Sequence, residues 1–263
     1  MGIMAFKVDS FAEEPFAGNP AGVCILPGPR DEAWMQGIAR EMNLSETAFL
    51  HRKGDHFALR WFTPIIEVEL CGHATLASAH VLWETAILSP RESARFQTKS
   101  GLLEAEKRGG MIEMDFPATP AAPAAAPEGL IDALDVEPTY IGRNEFDYLV
   151  EVASEEIVRN LKPDFTRLTR VEARGVIVTA AASSPDFDFV SRFFAPAVGI
   201  DEDPVTGSAH CCLGPYWGGK LGKRELAAYQ ASARGGVVHV RLAGERVRLG
   251  GRAVTILKGE LVV

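Results

Sequence analysis

Two stretches, half a chain apart, constrain this sequence more than anything else in it: Cys71-Gly-His-Ala-Thr-Leu-Ala-Ser-Ala-His80 and Asp201-Glu-Asp-Pro-Val-Thr-Gly-Ser-Ala-His-Cys-Cys212. In each, a glycine opens a run of small residues with good helix propensity, so the amides of the first turn can face a ligand with no bulky side chain in the way. Gly72 and Gly207 are separated by close to half of the 263 residues. That spacing predicts two similar halves, each contributing one anion-attracting helix start. Either motif alone reads equally well as an ordinary helix start packing alanines on a sheet. The pair, with polar groups placed alike, points to function.

The rest of the pattern is short strands around those two helices. Strands are expected from Ala5 to Ser10 and from Ala21 to Leu26, on either side of a loop broken by Pro15, Gly18 and Pro20. A helix follows, with Asp31 as N-cap and Trp34, Ile38 and Met42 on its buried face. Thr47–Arg52 and His56–Phe62 form a hairpin, a helix runs from about Ala74 to Thr85, and Ala94–Phe116 is a meander. Ala118-Thr-Pro-Ala-Ala-Pro-Ala-Ala-Ala-Pro127 then reads as a semi-rigid linker, which divides the chain into a lobe of residues 1–117, a linker 118–127 and a lobe of residues 128–253. In the second half, a helix capped by Ser154 and strands at Tyr148–Val152, Val176–Ala181 and Phe187–Phe194 precede the second glycine turn. The final strand, near 254–263, is long enough to return to the first lobe.

Composition removes several function classes. Hydrophobic residues make up 47% and charged residues 24%, the balance of a folded globular protein. The net charge is −8 and no basic block is present, which argues against nucleic acid as a partner. The opening residues lack the apolar core of a signal peptide and no apolar run is long enough for a bilayer, so a cytoplasmic protein without membrane contact is expected. Cys24, Cys71, Cys211 and Cys212 have no zinc-finger or CxxC spacing, and reduced thiols with no bound metal are expected.

Phe16-Ala-Gly-Asn-Pro20, Ser45-Glu-Thr47, Thr63-Pro-Ile-Ile-Glu67, Cys71-Gly-His-Ala-Thr75, Asp203-Pro-Val-Thr-Gly-Ser-Ala-His210, Arg234-Gly-Gly236 and Ala253-Val-Thr-Ile occur in an order that resembles the phenazine-biosynthesis PhzF-like isomerase family. The resemblance covers nearly the whole chain. It implies an α+β fold like that of diaminopimelate epimerase: two pseudo-symmetric lobes, each an antiparallel β-barrel around a central helix, with the active site between them. It also implies an isomerase that needs no cofactor, acts on a small carboxylate-bearing substrate and forms a homodimer.

Site residues follow from the same resemblance. By spacing alone Glu46 is a solvated carboxylate at a turn; the resemblance makes it the general acid/base, facing Asp203, with His73 as a further catalytic group. Gly72, Ala74, Gly207, Ser208 and Asn19 are implied as substrate contacts. Related epimerases use two cysteines, and here Cys71 matches the first whereas Thr206 stands in place of the second. A threonine hydroxyl titrates too high to act as a base, so two-thiol racemisation is not expected and Cys71 reads as a packing residue. Moving a proton between carbons beside an unsaturated carboxylate needs a base at the carbon, donors for the developing negative charge and little water. Three alternatives remain: a metal site built from Cys71, His73, His80, His210, Cys211 and Cys212; a racemase using Glu46 with Cys71; and an inactive fold that binds a small acid or a protein.

Overall fold

The structure, a computed structural model, describes residues 2–263. The chain divides into two compact units, one made of the residues up to Asp115 together with Gly250–Val263, the other of Phe116–Leu249.

The first unit begins with β1 (Ile3–Ser10) and β2 (Asn19–Ile25), an antiparallel pair. Helix α1 (Glu32–Met42) then carries the chain back, so that β3 (Glu46–Lys53) lies parallel to β2. Asp31 caps α1 by accepting from the Trp34 amide, and Asn43, at φ 48°, ends it in the left-handed conformation that asparagine tolerates. Strand β4 (His56–Phe62) folds antiparallel on β3, and the short β5 (Glu67–Val68) leads into α2 (Gly72–Glu84). Beyond α2, β6 (Ala94–Thr98) runs parallel to β4 and continues antiparallel into β7 (Gly101–Arg108) and β8 (Met111–Pro117). The C-terminal strand Ala253–Leu261 pairs with β1 along its whole length.

Helix α2 is central because its sequence leaves it no wet face. From His73 to Trp83 every residue except His80 is buried, and a helix that is apolar or small all round must be enclosed. Ala74, Ala77 and Ser78 let β1, β2 and β3 approach closely, while Ser78 and Thr75 return their hydroxyls to carbonyls one turn back. On the other face of the sheet Phe49 and Phe62 pack with Met35, Ile38 and Ala39 of α1.

The second unit runs through β9 (Ala122–Pro123), α3 (Leu130–Leu134), β10 (Pro138–Arg143), β11 (Asp147–Val152), α4 (Glu155–Asn160), α5 (Phe165–Leu168), β12 (Gly175–Ala181), β13 (Phe189–Ala195), β14 (Ile200–Asp203), α6 (Gly207–Leu221), β15 (Glu225–Gln230), β16 (Gly236–Ala243) and β17 (Arg246–Gly251). Its pairings repeat those of the first unit. β10 and β11 are antiparallel, β11 and β12 parallel across helices, β12 and β13 antiparallel, and β13 and β15 parallel across α6. The repeat is visible in residues too: Arg60-Trp-Phe-Thr-Pro64 on β4 has its counterpart in Arg192-Phe-Phe-Ala-Pro196 on β13. Each arginine forks onto a glutamate, Arg60 on Glu67 and Arg192 on Glu202, and so ties the strand to the segment that leads into the helix.

Helix α6 approaches its sheet through glycine where α2 uses alanine. A Cβ on Gly214 would lie 2.7 Å from Val240, and one on Gly218 would lie 2.4 Å from Leu242. Pro215 within α6 leaves the Cys211 carbonyl without its helical donor, and the Thr119 amide bonds it instead.

The Ala/Pro stretch 118–127 is tied to the second unit: Ala118 donates to Glu245, Thr119 to Cys211 and Ala124 to Ile141, and Ala122–Pro123 pairs with β10. Each unit also contains two parallel pairs among its antiparallel ones, at the places where a helix carries the chain across.

Candidate active site

In the first unit the site residues converge on the start of α2. Cys71 holds the N-cap position at φ −146° and ψ 108°, its sulfur beside the Ala74 amide, and the amides of Gly72 and His73 lie at a positive helix end. The Ser10 hydroxyl donates to the His73 carbonyl at 2.7 Å, and Asn19, fully buried at the start of β2, is the strand partner of Ser10. Glu46, first residue of β3, reaches the same point: its Oε2 lies 3.2 Å from His73 Nε2, close enough for an ion pair though bent from good hydrogen-bond geometry. Both side chains are enclosed, with 13% of the Glu46 side chain and 7% of the His73 side chain exposed. On the opposite ring nitrogen, His73 Nδ1 is 3.6 Å from Cys71 Sγ. Thiol, imidazole and carboxylate therefore form one chain.

Electrostatics follow from that enclosure. Burial opposes the imidazolium, but Cys71 and Glu46 on either side more than offset it and hold the His73 pKa well above its ordinary 6.5. Burial first, and the Glu46 carboxylate second, push the Cys71 thiol above its ordinary 9.0.

The second unit presents the corresponding helix start with different chemistry. Thr206 is the N-cap of α6, without a side-chain cap, at φ −113° and ψ 103°. Its hydroxyl donates to Asp203 Oδ2 at 2.5 Å, and Gln230 binds both the Asp203 carbonyl and the Thr206 amide, so Asp203 is fixed by a network within its own unit. Ser208 Oγ accepts from Arg174 Nη2 at 3.1 Å. Arg174 in turn grips Asp147, whose side chain is 0% exposed, through Nε at 2.9 Å and Nη2 at 2.5 Å. His210 is fully buried, with Nδ1 2.8 Å from the Thr206 carbonyl, and burial lowers its pKa to about 4.

Glu46, His73, Gly72 and Ala74 thus come together at α2, with Asn19 one residue removed; Asp203, Gly207 and Ser208 come together at α6. Reading the sequence as motifs missed three features. Cys71 is more than packing, since it touches His73. Arg174 and Asp147 lie far from both glycine motifs, and only the alignment of the two arginine-aromatic strands, which sets Thr47 opposite Phe62 and Val176 opposite Phe194, would have pointed to them. Among the described residues one group could hold a metal: Glu46, Cys71 and His73, with ligand atoms within 4.8 Å of one another. Of the six residues weighed for a metal site, only Cys71 and His73 belong to it; His80 instead contacts Thr255 and Glu84.

Comparison with known proteins gives the family. The profile of the phenazine biosynthesis-like protein family, PhzC-PhzF, matches residues 8–259, and the chain belongs to that family. It is 56% identical to an uncharacterized isomerase of Halalkalibacterium halodurans, with 98% of each chain covered. A crystal structure of a phenazine biosynthesis protein of the PhzF family from Enterococcus faecalis superposes with a TM-score of 0.96 at 42% identity, covering 100% of both chains. A probable proline racemase from Agrobacterium radiobacter shares the fold alone, with a TM-score of 0.64 at 12% identity over 99% of this chain and 93% of that one. The protein is therefore an isomerase of the PhzF-like family with the epimerase fold.

Proposed function

We propose that the enzyme moves a proton between two carbons of a small carboxylate-bearing substrate, with Glu46 as general acid/base and without a cofactor. The observation that carries this reading is the enclosed Glu46 carboxylate 3.2 Å from His73 at the start of α2. Glu46 takes the proton from a carbon beside the unsaturated system, and the electron pair left behind spreads onto an oxygen. The same carboxylic acid then returns the proton to another carbon of that system, so that no net charge is created. His73, held protonated between its neighbours, donates to the developing negative charge. We assign the amides of Gly72, Ala74 and Gly207 and the Ser208 hydroxyl to the carboxylate or enolate-like oxygens, with contributions of about 2–4 kcal/mol per well-placed donor. Asp203 is assigned a catalytic carboxylate role, and Asn19 a substrate contact. On the family resemblance the working form is a cytoplasmic homodimer; among the described residues no helix is long and apolar enough to cross a membrane.

A second reading has one observation in its favour. Cys71 Sγ sits on the same imidazole as Glu46, so a thiol-assisted epimerisation could draw on the same chain of groups. The experiment that separates them is turnover of small unsaturated and amino-acid-like carboxylates in deuterated buffer, with Glu46→Gln and Cys71→Ala compared. A product with its proton moved to a new carbon, carrying solvent deuterium there to the extent that the proton on Glu46 exchanges before its return, supports the isomerase. Inversion at one centre, lost in Cys71→Ala and kept in Glu46→Gln, would favour the thiol.

A further inference from the structure

We propose that Arg174 is a specificity-determining residue that receives the substrate carboxylate beside Ser208. This rests on the isomerase reading above and adds the group that chooses the substrate. The repeat locates it. Val176 pairs with Phe194 as Thr47 pairs with Phe62, so Gly175 occupies the position of Glu46. A side chain there would press on the Phe193 ring, because a Cβ on Gly175 would lie 2.3 Å from it. The adjacent residue, Arg174, reaches the helix start instead, so the second unit offers a guanidinium where the first offers a carboxylate.

The geometry is that of a held donor. Asp147 beneath fixes Nε and Nη2, and the rings of Phe146 and Phe193 flank the guanidinium with centroids 5.1 and 5.7 Å from Cζ. Nη1 makes no hydrogen bond among the described residues, and 37% of the side chain is exposed. Ser208 Oγ, accepting from Nη2, keeps its own proton to donate. Since Asp147 and Arg174 together are formally neutral, the attraction is directional rather than a matter of net charge. A planar carboxylate that accepts from Nη1 and Ser208 fits; a neutral amide or a spherical anion does not.

The test is amide NMR titration of the full chain with benzoate, a planar conjugated carboxylate, and with benzamide as its neutral isostere. Saturable shifts at Gly207, Ser208 and Ala209 are expected with benzoate and not with benzamide. The variant pair Asp147→Asn with Arg174→Gln, which removes the buried charge together with its partner, is expected to weaken benzoate at least tenfold. Arg174→Lys, which keeps a cation on Asp147 and so guards against a folding failure, is expected to lose most of the same affinity, because one ammonium cannot serve both carboxylates. Equal benzoate affinity in these variants, or no benzoate shifts at the start of α6 in the wild type, overturns the assignment. Glu46→Gln serves as the control for the underlying reaction: it should bind benzoate normally. If it also retains deuterium exchange while the Arg174 variants lose benzoate, the acid/base reading fails and the anchor stands.

Discussion

The two units use one scaffold for two kinds of chemistry. At the position that is Glu46 in the first unit, the second has Gly175; Cys71 is answered by Thr206, His73 by Ser208, and Thr75 by His210. The last pair shows how far the backbone is shared, since the Thr75 hydroxyl and His210 Nδ1 both bond the carbonyl of the N-cap residue four positions back. Side chains of ordinary chemistry suffice for that structural task. Next to it, the groups that meet at the helix start differ: the Glu46 carboxylate, the His73 imidazole and the Cys71 thiol at α2, the Thr206 and Ser208 hydroxyls with the Asp203 carboxylate and the Arg174 guanidinium at α6. On the proposed reading, a duplicated frame lets proton transfer and anion recognition be tuned separately.

The largest expected effect tests the asymmetry directly. Glu46→Gln keeps the size and hydrogen-bonding capacity of the side chain but cannot carry a proton, so turnover should fall by about 10²–10⁴-fold or more with thermal stability nearly unchanged. A rate within tenfold of wild type would remove the first unit's claim to the proton-transfer chemistry.

Next in size is a pH effect on stability, and here the two histidines should have opposite slopes. His210 has a folded pKa of about 4, below its ordinary 6.5, so the unfolded chain binds the extra proton between those values. Its contribution to stability is present above pH 6.5 and is lost as pH falls toward 4, by about 3 kcal/mol at about 1.4 kcal/mol per unit. His73 is shifted upward, so its contribution is present below pH 6.5 and is lost as pH rises through its folded value. Denaturant midpoints from pH 4 to pH 8 should show a shallower acid limb in His210→Gln than in the wild type. Identical acid limbs in the two proteins would contradict the assignment to His210.

The smaller Gly175→Ala change asks why the acid/base exists on one side only. Its Cβ would press on the Phe193 ring, and overpacking of this kind costs about 1–3 kcal/mol. A melt unchanged from wild type would mean that the ring yields freely, and that steric exclusion is not what keeps a side chain from that position.

How much of this was legible in sequence depended on whether a feature was local. The glycine turns at 72 and 207 were readable because a tight helix start leaves its mark within a few residues, and Asp31 and Ser154 caps were readable for the same reason. Strand β10 escaped notice because Pro138 and Gly142 obscure its alternation; only pairing with β11 makes it a strand. The 118–127 stretch has the composition of a spacer, and nothing local reveals that the proline in α6 leaves a carbonyl for Thr119. Glu46 reads as a surface carboxylate until folding closes the distance to His73. Arg174 was invisible for a deeper reason: its partners Asp147 and Ser208 lie 27 and 34 residues away, and only the half-repeat connects them.

The smallest expected effect concerns Cys71 and Thr206, the two N-cap positions, of which only Thr206 departs from the two-thiol pattern. If the proton is carried by Glu46, Cys71→Ala should reduce turnover by less than about tenfold, because Glu46 remains beside His73 and a positioned acid/base accounts for most of the rate. Thr206→Cys should restore no racemase activity. The new thiol would lose the 2.5 Å bond from the Thr206 hydroxyl to Asp203, a loss of about 0.5–1.5 kcal/mol, or more with a charged acceptor, and it would stand beside a carboxylate that disfavours the thiolate. Chiral chromatography of amino-acid and hydroxy-acid substrates, with thiol titration alongside, reads both variants. Measurable racemisation by Thr206→Cys that disappears when Cys71→Ala is added would show that the two helix starts can act as a matched thiol pair. The difference between the units would then be a single substitution rather than a division of chemistry.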